Sequence, residues 1–193
     1  MILKNESKES IDLSKNELRS RHKKLRREIF SQEKNSLILQ NLKLLYVYKK
    51  ANNILAFYPL NYEIDLRKLF INNEDNKNWF LPKFVDDNLH IYPFTGEEKL
   101  VTGAFNIKEP ISENELAPEK LDLIIMPALA VDKTGNRLGY GKGCYDKFLN
   151  SFDSSKIILI LPIFDALIIE NIPHTSLDRQ VNIIVSETQT IVI

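Results

Sequence analysis

Short apolar runs cut off by prolines are the feature that most narrows what this chain can fold into. Ile54-Leu55-Ala56-Phe57-Tyr58 stops at Pro59, Trp79-Phe80-Leu81 at Pro82, Leu89-His90-Ile91-Tyr92 at Pro93, and Leu121-Asp122-Leu123-Ile124-Ile125 just before Pro127. Runs this short and apolar fit strands buried on both faces, and proline, which has no N–H for the ladder, ends them. Elsewhere the apolar spacing becomes helical. Leu18, Leu25 and Ile29 form a narrow stripe on a cation-rich helix over 14–30. Ile38, Leu42, Leu45 and Tyr48 recur at steps of four, three and three over 33–48, with Ser31 as candidate N-cap. Further helices are expected over 65–72, about 143–150 and near 165–170, and strands over 156–161, 182–185 and 190–193. This alternation predicts an α/β fold, a single domain over 14–193 whose mainly parallel sheet is flanked by helices, behind a disordered leader over 1–13.

At 193 residues, 44% hydrophobic and 27% charged, the chain suits one ordinary globular domain with a sizeable core. No apolar run approaches the roughly 20 residues that cross a bilayer, and a lone cysteine, Cys144, excludes an internal disulfide. The cytoplasm is the expected location. Net charge is zero, yet residues 1–50 hold thirteen Lys/Arg against six Asp/Glu, so the start is basic and the remainder acidic. Such a start suits nucleic acid, a membrane surface or an anionic small molecule, and composition does not choose among them.

Of only six glycines, Gly135, Gly139, Gly141 and Gly143 fall within nine residues. Placed between the strand ending near Met126 and the helix carrying Tyr145 to Leu149, they would let backbone N–H groups converge on an anion, with Arg137 and Lys142 adding positive charge. The spacing matches neither GxxxxGK[ST] nor GxGxxG, and glycine content alone fits a flexible loop equally well. Asp146 tips the balance towards phosphate, because a carboxylate one turn into the following helix could hold Mg²⁺ against phosphate oxygens. Alone it would be read as a helix-dipole partner.

The stretch from Asp122 to Leu149, DLIIMPALAVDKTGNRLGYGKGCYDKFL, closely resembles the core of the 5-formyltetrahydrofolate cyclo-ligase family. Lys15-Asn-Glu-Leu18-Arg19, Tyr58-Pro-Leu-Asn-Tyr-Glu63-Ile64, Leu81-Pro82-Lys83, Gly103 to Ile107, Glu109-Pro110, and Pro173 with Asp178 resemble the family's other landmarks in order, from about 15 to 187. The resemblance implies a fold shared with sugar-phosphate isomerases and CoA transferases. It also implies ATP-dependent closure of 5-formyltetrahydrofolate to 5,10-methenyltetrahydrofolate by a monomer, on a folate that can be polyglutamylated, with no nucleic-acid or membrane partner. ATP would meet Lys15, Arg19, Arg137, Leu138, Gly139, Tyr140, Gly141, Lys142, Gly143, Cys144 and Tyr145. Arg137 and Lys142 would be catalytic, through charge. Folate would meet Tyr58, Glu63, Tyr140 and Cys144, and Asp146 and Asp178 would hold Mg²⁺. Without the resemblance, Lys15 and Arg19 read as a solvated face, Asp178 as a surface aspartate and Tyr58 as core or rim. The chain departs from the family's usual pattern at Ala128, Tyr140, Cys144, Leu167 and Asn182.

Other classes compete. An isomerase-like enzyme would use Asp132 and Glu63 as acid and base and ignore ATP. A binding protein would hold the folate without turnover. An RNA-binding protein would use the basic helix 15–27, which lacks interleaved aromatics for stacking. Cys144 as a nucleophile finds no histidine nearby in sequence, and His22, His90 and His174 show no metal-ligand spacing.

Overall fold

Ile, Leu and Val fill the central strands so completely that water is kept from both faces of the sheet they form. The structure, a computed structural model, describes residues 8–86 and 88–193. Three helices open the chain, α1 (Lys8–Ile29), α2 (Gln32–Leu44) and α3 (Tyr46–Lys50), followed by β1 (Asn53–Leu55), α4 (Arg67–Asn72), β2 (Asn78–Val85) and β3 (Asn88–Pro93). A hairpin of β4 (Leu100–Thr102) and β5 (Lys108–Pro110) precedes β6 (Leu123–Ile125), β7 (Ala130–Asp132), β8 (Arg137–Leu138) and α5 (Cys144–Asn150). The chain then runs through β9 (Ile158–Pro162), β10 (Ile168–Ile169), β11 (Ile183–Val185) and β12 (Thr190–Val192). No helix among the described residues is long and apolar enough to cross a membrane.

The main sheet has seven strands in the order β12-β11-β9-β6-β1-β2-β3. The five inner strands are mutually parallel, and an antiparallel strand closes each edge. Leu123, Ile124 and Ile125 are buried in succession, as are Leu159 to Leu161, which is the signature of a sheet covered on both faces. Asp122 fixes the register at the centre: one carboxylate oxygen accepts the N–H groups of Asn52 and Asn53 at 2.8 and 2.9 Å. A small sheet, β10-β7-β8, stands apart over its own cluster of Leu129, Ala130, Leu138 and Ile172, against which Leu18 of α1 and Tyr140 pack.

Several boundaries differ from expectation. The first helix begins at Lys8, because residues 8–13 contain no glycine or proline to stop it. The part of the expected leader at 1–7 lies outside the described residues. The helix expected over 33–48 breaks at Leu45, whose backbone is extended (φ −61°, ψ 132°), and restarts so that Tyr48 is buried with its hydroxyl 2.9 Å from Asp75. Ser31 does cap α2, its hydroxyl accepting the Lys34 N–H at 3.3 Å. Strand β2 continues through Pro82, since beyond Phe80 it borders β3 alone and one side of the chain has no ladder bond to make. The segment expected as a loop over 128–142 contains the hairpin β7–β8. The expected helix near 165–170 is one 3₁₀ turn, Asp165–Leu167, running into β10. Finally, the expected stripe of α1 does face inwards, Leu25 and Ile29 half-buried against the main core and Leu18 against the small-sheet cluster, but Lys15, His22 and Arg26 share that face and are buried more deeply, at 7, 3 and 8% exposed.

Candidate active site

In a parallel sheet the carboxyl ends of the strands, with their loops, shape the ligand crevice. Here Phe57 and Tyr58 beyond β1, Pro82 and Phe84 at the end of β2, and Pro127 beyond β6 line an open cavity of about 720 Å³. Helix α1 borders it with Lys15 and Arg19, the loop after β8 with Gly139 to Gly143, α5 with Cys144, Tyr145 and Asp146, and the turn before β11 with Thr175 and Asp178. Glu63, Arg137 and Leu138 complete the wall, so every residue that the family resemblance assigned to ATP, folate or metal reaches the same cavity.

At one end the wall is cationic. Arg137 is buried, and its Nη2 donates to Asp146 at 2.8 Å while its Nε is buried without a partner. Arg19 donates from Nε to the Gly139 carbonyl at 3.1 Å, tying α1 to the glycine loop. The Lys142 ammonium lies 5.8 Å from the centre of the Phe105 ring, which stands on the β4–β5 connection. Gly141 and Gly143 have φ of +103° and +66°, so the loop bends through backbone that side chains resist. Cys144 is buried where α5 begins, and next to it the Tyr145 hydroxyl is buried without a partner. Burial first, and then the charge of Glu63, push the Tyr145 pKa above the ordinary tyrosine range, so this group is a neutral O–H.

Asp146 accepts the N–H of Arg179, the residue after Asp178, at 3.0 Å, which brings the two aspartates to the same part of the wall. Lys15 lies 3.0 and 2.8 Å from the two oxygens of Asp178, which also accepts the Thr175 N–H and hydroxyl at 2.7 and 3.0 Å. Burial works to raise the Asp178 pKa, but Lys15 and Thr175 outweigh it and the carboxyl ends below its usual range. No cluster of three or more His, Cys, Asp or Glu suited to a metal occurs among the described residues. Two hard oxygen donors, each neutralised by a side-chain cation, nevertheless fit Mg²⁺, which takes one or two carboxylates and completes its shell with phosphate oxygens and water.

At the other end stands a buried carboxylate. Glu63 accepts the Leu60 N–H on Oε2 at 2.7 Å, and the Tyr140 hydroxyl on Oε1. Arg26 approaches the same Oε1 at 3.4 Å, donates to the Tyr140 oxygen, and lies 5.6 Å from that ring's centre. Burial first, then Glu63, raise the Tyr140 pKa beyond the normal range. Tyr58 donates to Glu97 at 2.9 Å and packs on Phe70, 6.2 Å between ring centres. Arg26 is the residue that sequence reasoning missed. Its signal was the seven- and four-residue steps from Lys15 through His22, which place all three on one helical face.

Other candidates serve structure. Asp132 is buried and accepts from Thr134, Asn136 and the Ile172 N–H at 2.7–3.0 Å, so it is not the free acid or base an isomerase-like site would need. Burial raises its pKa, but these bonds, led by Thr134 and Asn136, outweigh burial and leave it low. Asn182 accepts the Leu159 N–H at 2.8 Å, joining β11 to β9. Nδ1 of His22 meets the Leu18 carbonyl at 2.8 Å, that of His174 meets the Ile172 carbonyl at 3.2 Å, and His90 pairs with Glu115 at 2.7 Å.

A family model described as the 5-formyltetrahydrofolate cyclo-ligase family matches residues 6–187. The chain is 30% identical over 131 residues to a 5-formyltetrahydrofolate cyclo-ligase of Haemophilus influenzae, covering 65% of this chain and 70% of that one. It is 28% identical over 156 residues to the mouse protein of the same name, covering 72% and 75%. Among solved structures it is similar to 5,10-methenyltetrahydrofolate synthetase of Aquifex aeolicus, with a TM-score of 0.81, 29% identity and 92% of each chain covered.

Proposed function

Because the chain belongs to the 5-formyltetrahydrofolate cyclo-ligase family, we propose that it uses ATP and Mg²⁺ to convert 5-formyltetrahydrofolate to 5,10-methenyltetrahydrofolate, releasing ADP and phosphate. The observation that carries this reading is the polarity of the 720 Å³ cavity. Cations and a glycine loop stand at one end, and a fixed carboxylate with aromatic neighbours at the other. The first end suits a triphosphate; the second suits a flat ring rich in N–H donors.

The γ-phosphoryl group of ATP would pass to the formyl oxygen, making an imidate-like phosphate. N10 would then attack the formyl carbon, losing its proton to solvent, and the oxygen would depart with phosphate. No protein nucleophile is required. The chain's work is alignment and charge: Arg137 and Lys142 would neutralise the transferring phosphoryl group, with Lys15, Arg19 and the loop from Leu138 to Tyr145 holding the rest of ATP. Asp146 and Asp178 would hold Mg²⁺, which when bound shields the phosphate oxygens. Lys15 and Arg137 would be released from those carboxylates to meet phosphate. Glu63 would accept from the pterin, with Tyr58, Tyr140 and Cys144 shaping its slot.

The test is purified protein with 5-formyltetrahydrofolate and Mg²⁺, with and without ATP, followed by the near-ultraviolet absorbance of the methenyl product. Product forming only with ATP, and falling about 100-fold in Asp146→Ala, is expected. Folate bound without any product would overturn catalysis in favour of a binding protein.

A further inference from the structure

We propose that Arg26 is a positioning residue for the folate end of the cavity: with the Tyr140 hydroxyl it locks the Glu63 carboxylate in one orientation and leaves Oε2 to receive the pterin. The inference rests on the function proposed above for its ligand, and on the geometry for everything else. Arg26 and Glu63 are 8% and 6% exposed, so each is a charge withdrawn from water that needs its partner. Their direct contact, at 3.4 Å, is long for a charge-assisted bond. A second route runs through Tyr140, whose oxygen accepts from Arg26 Nη1 while its O–H donates to Glu63 Oε1.

This relay has a direction. Tyr140 stays protonated, so its single proton points at Glu63 and its lone pair at the guanidinium. Oε1 then receives two donors and Oε2 one, from the Leu60 N–H. The carboxylate plane is held from α1, from the glycine loop and from the 60–63 turn at once. What remains is acceptor capacity on Oε2. A ligand with adjacent ring N–H and amino donors gains from an acceptor whose plane is already fixed. Arg26 therefore acts on the ligand through Glu63, as a positioning rather than a catalytic residue.

Two measurements decide this, one of which needs no ligand. Three-bond NMR couplings of ¹³C-labelled Glu63, assigned with Glu63→Gln, report whether its side chain keeps one rotamer. A single rotamer is expected in the native protein and in Arg26→Lys, with rotamer averaging in Arg26→Met. In turnover, Arg26→Met is expected to raise KM for 5-formyltetrahydrofolate about tenfold while KM for ATP moves less than about twofold. Placing a guanidinium at the other end of the relay, in Arg26→Met/Tyr140→Arg, should recover most of that loss, which repair of helix packing would not do. A Glu63 rotamer unchanged in Arg26→Met, or equal KM rises for both substrates, overturns the proposal. Should Arg26→Met fail to fold, Tyr140→Phe, which removes the hydroxyl that accepts from Arg26 and donates to Glu63, is read in the same two ways. A native protein without turnover would refute the proposed reaction, and the couplings would still settle the role of Arg26.

Discussion

Gly141 and Gly143 stand two residues apart in one loop and answer to different constraints. Gly141, at φ +103°, would place an added Cβ 3.3 Å from the Arg19 guanidinium, whereas Gly143, at φ +66°, has nothing within 4 Å of such an atom. Gly141→Ala is expected to strain the loop by about 1–3 kcal/mol and, by displacing Arg19, to weaken ATP binding about tenfold in calorimetry. Gly143→Ala should cost only about 1 kcal/mol in a denaturation midpoint, with ATP affinity nearly unchanged. Equal losses of affinity would remove Arg19 from the explanation. Glycine scarcity is what made this loop readable in the sequence. Arg26 was hidden for the opposite reason: thirteen cations crowd the first fifty residues, and the apolar positions 18, 25 and 29 beside it already accounted for an inward face. Only the folded chain shows that Lys15, His22 and Arg26 face inwards together, because what they face is assembled from residues far along the sequence.

Among elements, the hairpin β7–β8 carries the most consequence for its size, since it launches the glycine loop. Its strands span three and two residues, too short for any periodicity to register, so the sequence reads as a loop there. Strands β1 and β6 of the parallel core are as short, and were readable because the apolar residues run on past them, over 54–58 and 123–126, until a proline follows. The hairpin is held by Asp132, which accepts N–H bonds from Thr134, Asn136 and Ile172 at 3.0 Å each. Asp132→Ala would leave those donors without an acceptor and is expected to cost about 2–4 kcal/mol, measured by urea denaturation. The pH dependence follows from the lowered pKa of Asp132. Its contribution is fully present above the unfolded value of about 4 and is lost as pH falls through the lower folded value. Asp132→Asn should therefore be less stable than the native protein at neutral pH and lose less on acidification. A parallel offset at all pH values would deny Asp132 a role in acid unfolding.

For the whole molecule, the cavity holds its own counter-charges: Lys15 lies on Asp178 and Arg137 on Asp146. If ATP and Mg²⁺ take these partners together, ATP alone would strand two carboxylates and the metal alone would meet two resident cations. Their binding should be cooperative, with ATP affinity falling about tenfold or more when Mg²⁺ is chelated, and amide exchange along α1 slowing only when both are present. Equal ATP affinity with and without Mg²⁺ would count against the exchange of partners. The inward face of α1 has another consequence, which concerns synthesis. Its partners at Gly139 and Asp178 lie 120 and 163 residues downstream, so on a ribosome adding about 5–20 residues per second the helix waits roughly 8 to 30 s for them. A greasy helix left waiting would invite wrong partners; one that hides lysine, histidine and arginine can stay in water until the rest of the chain arrives.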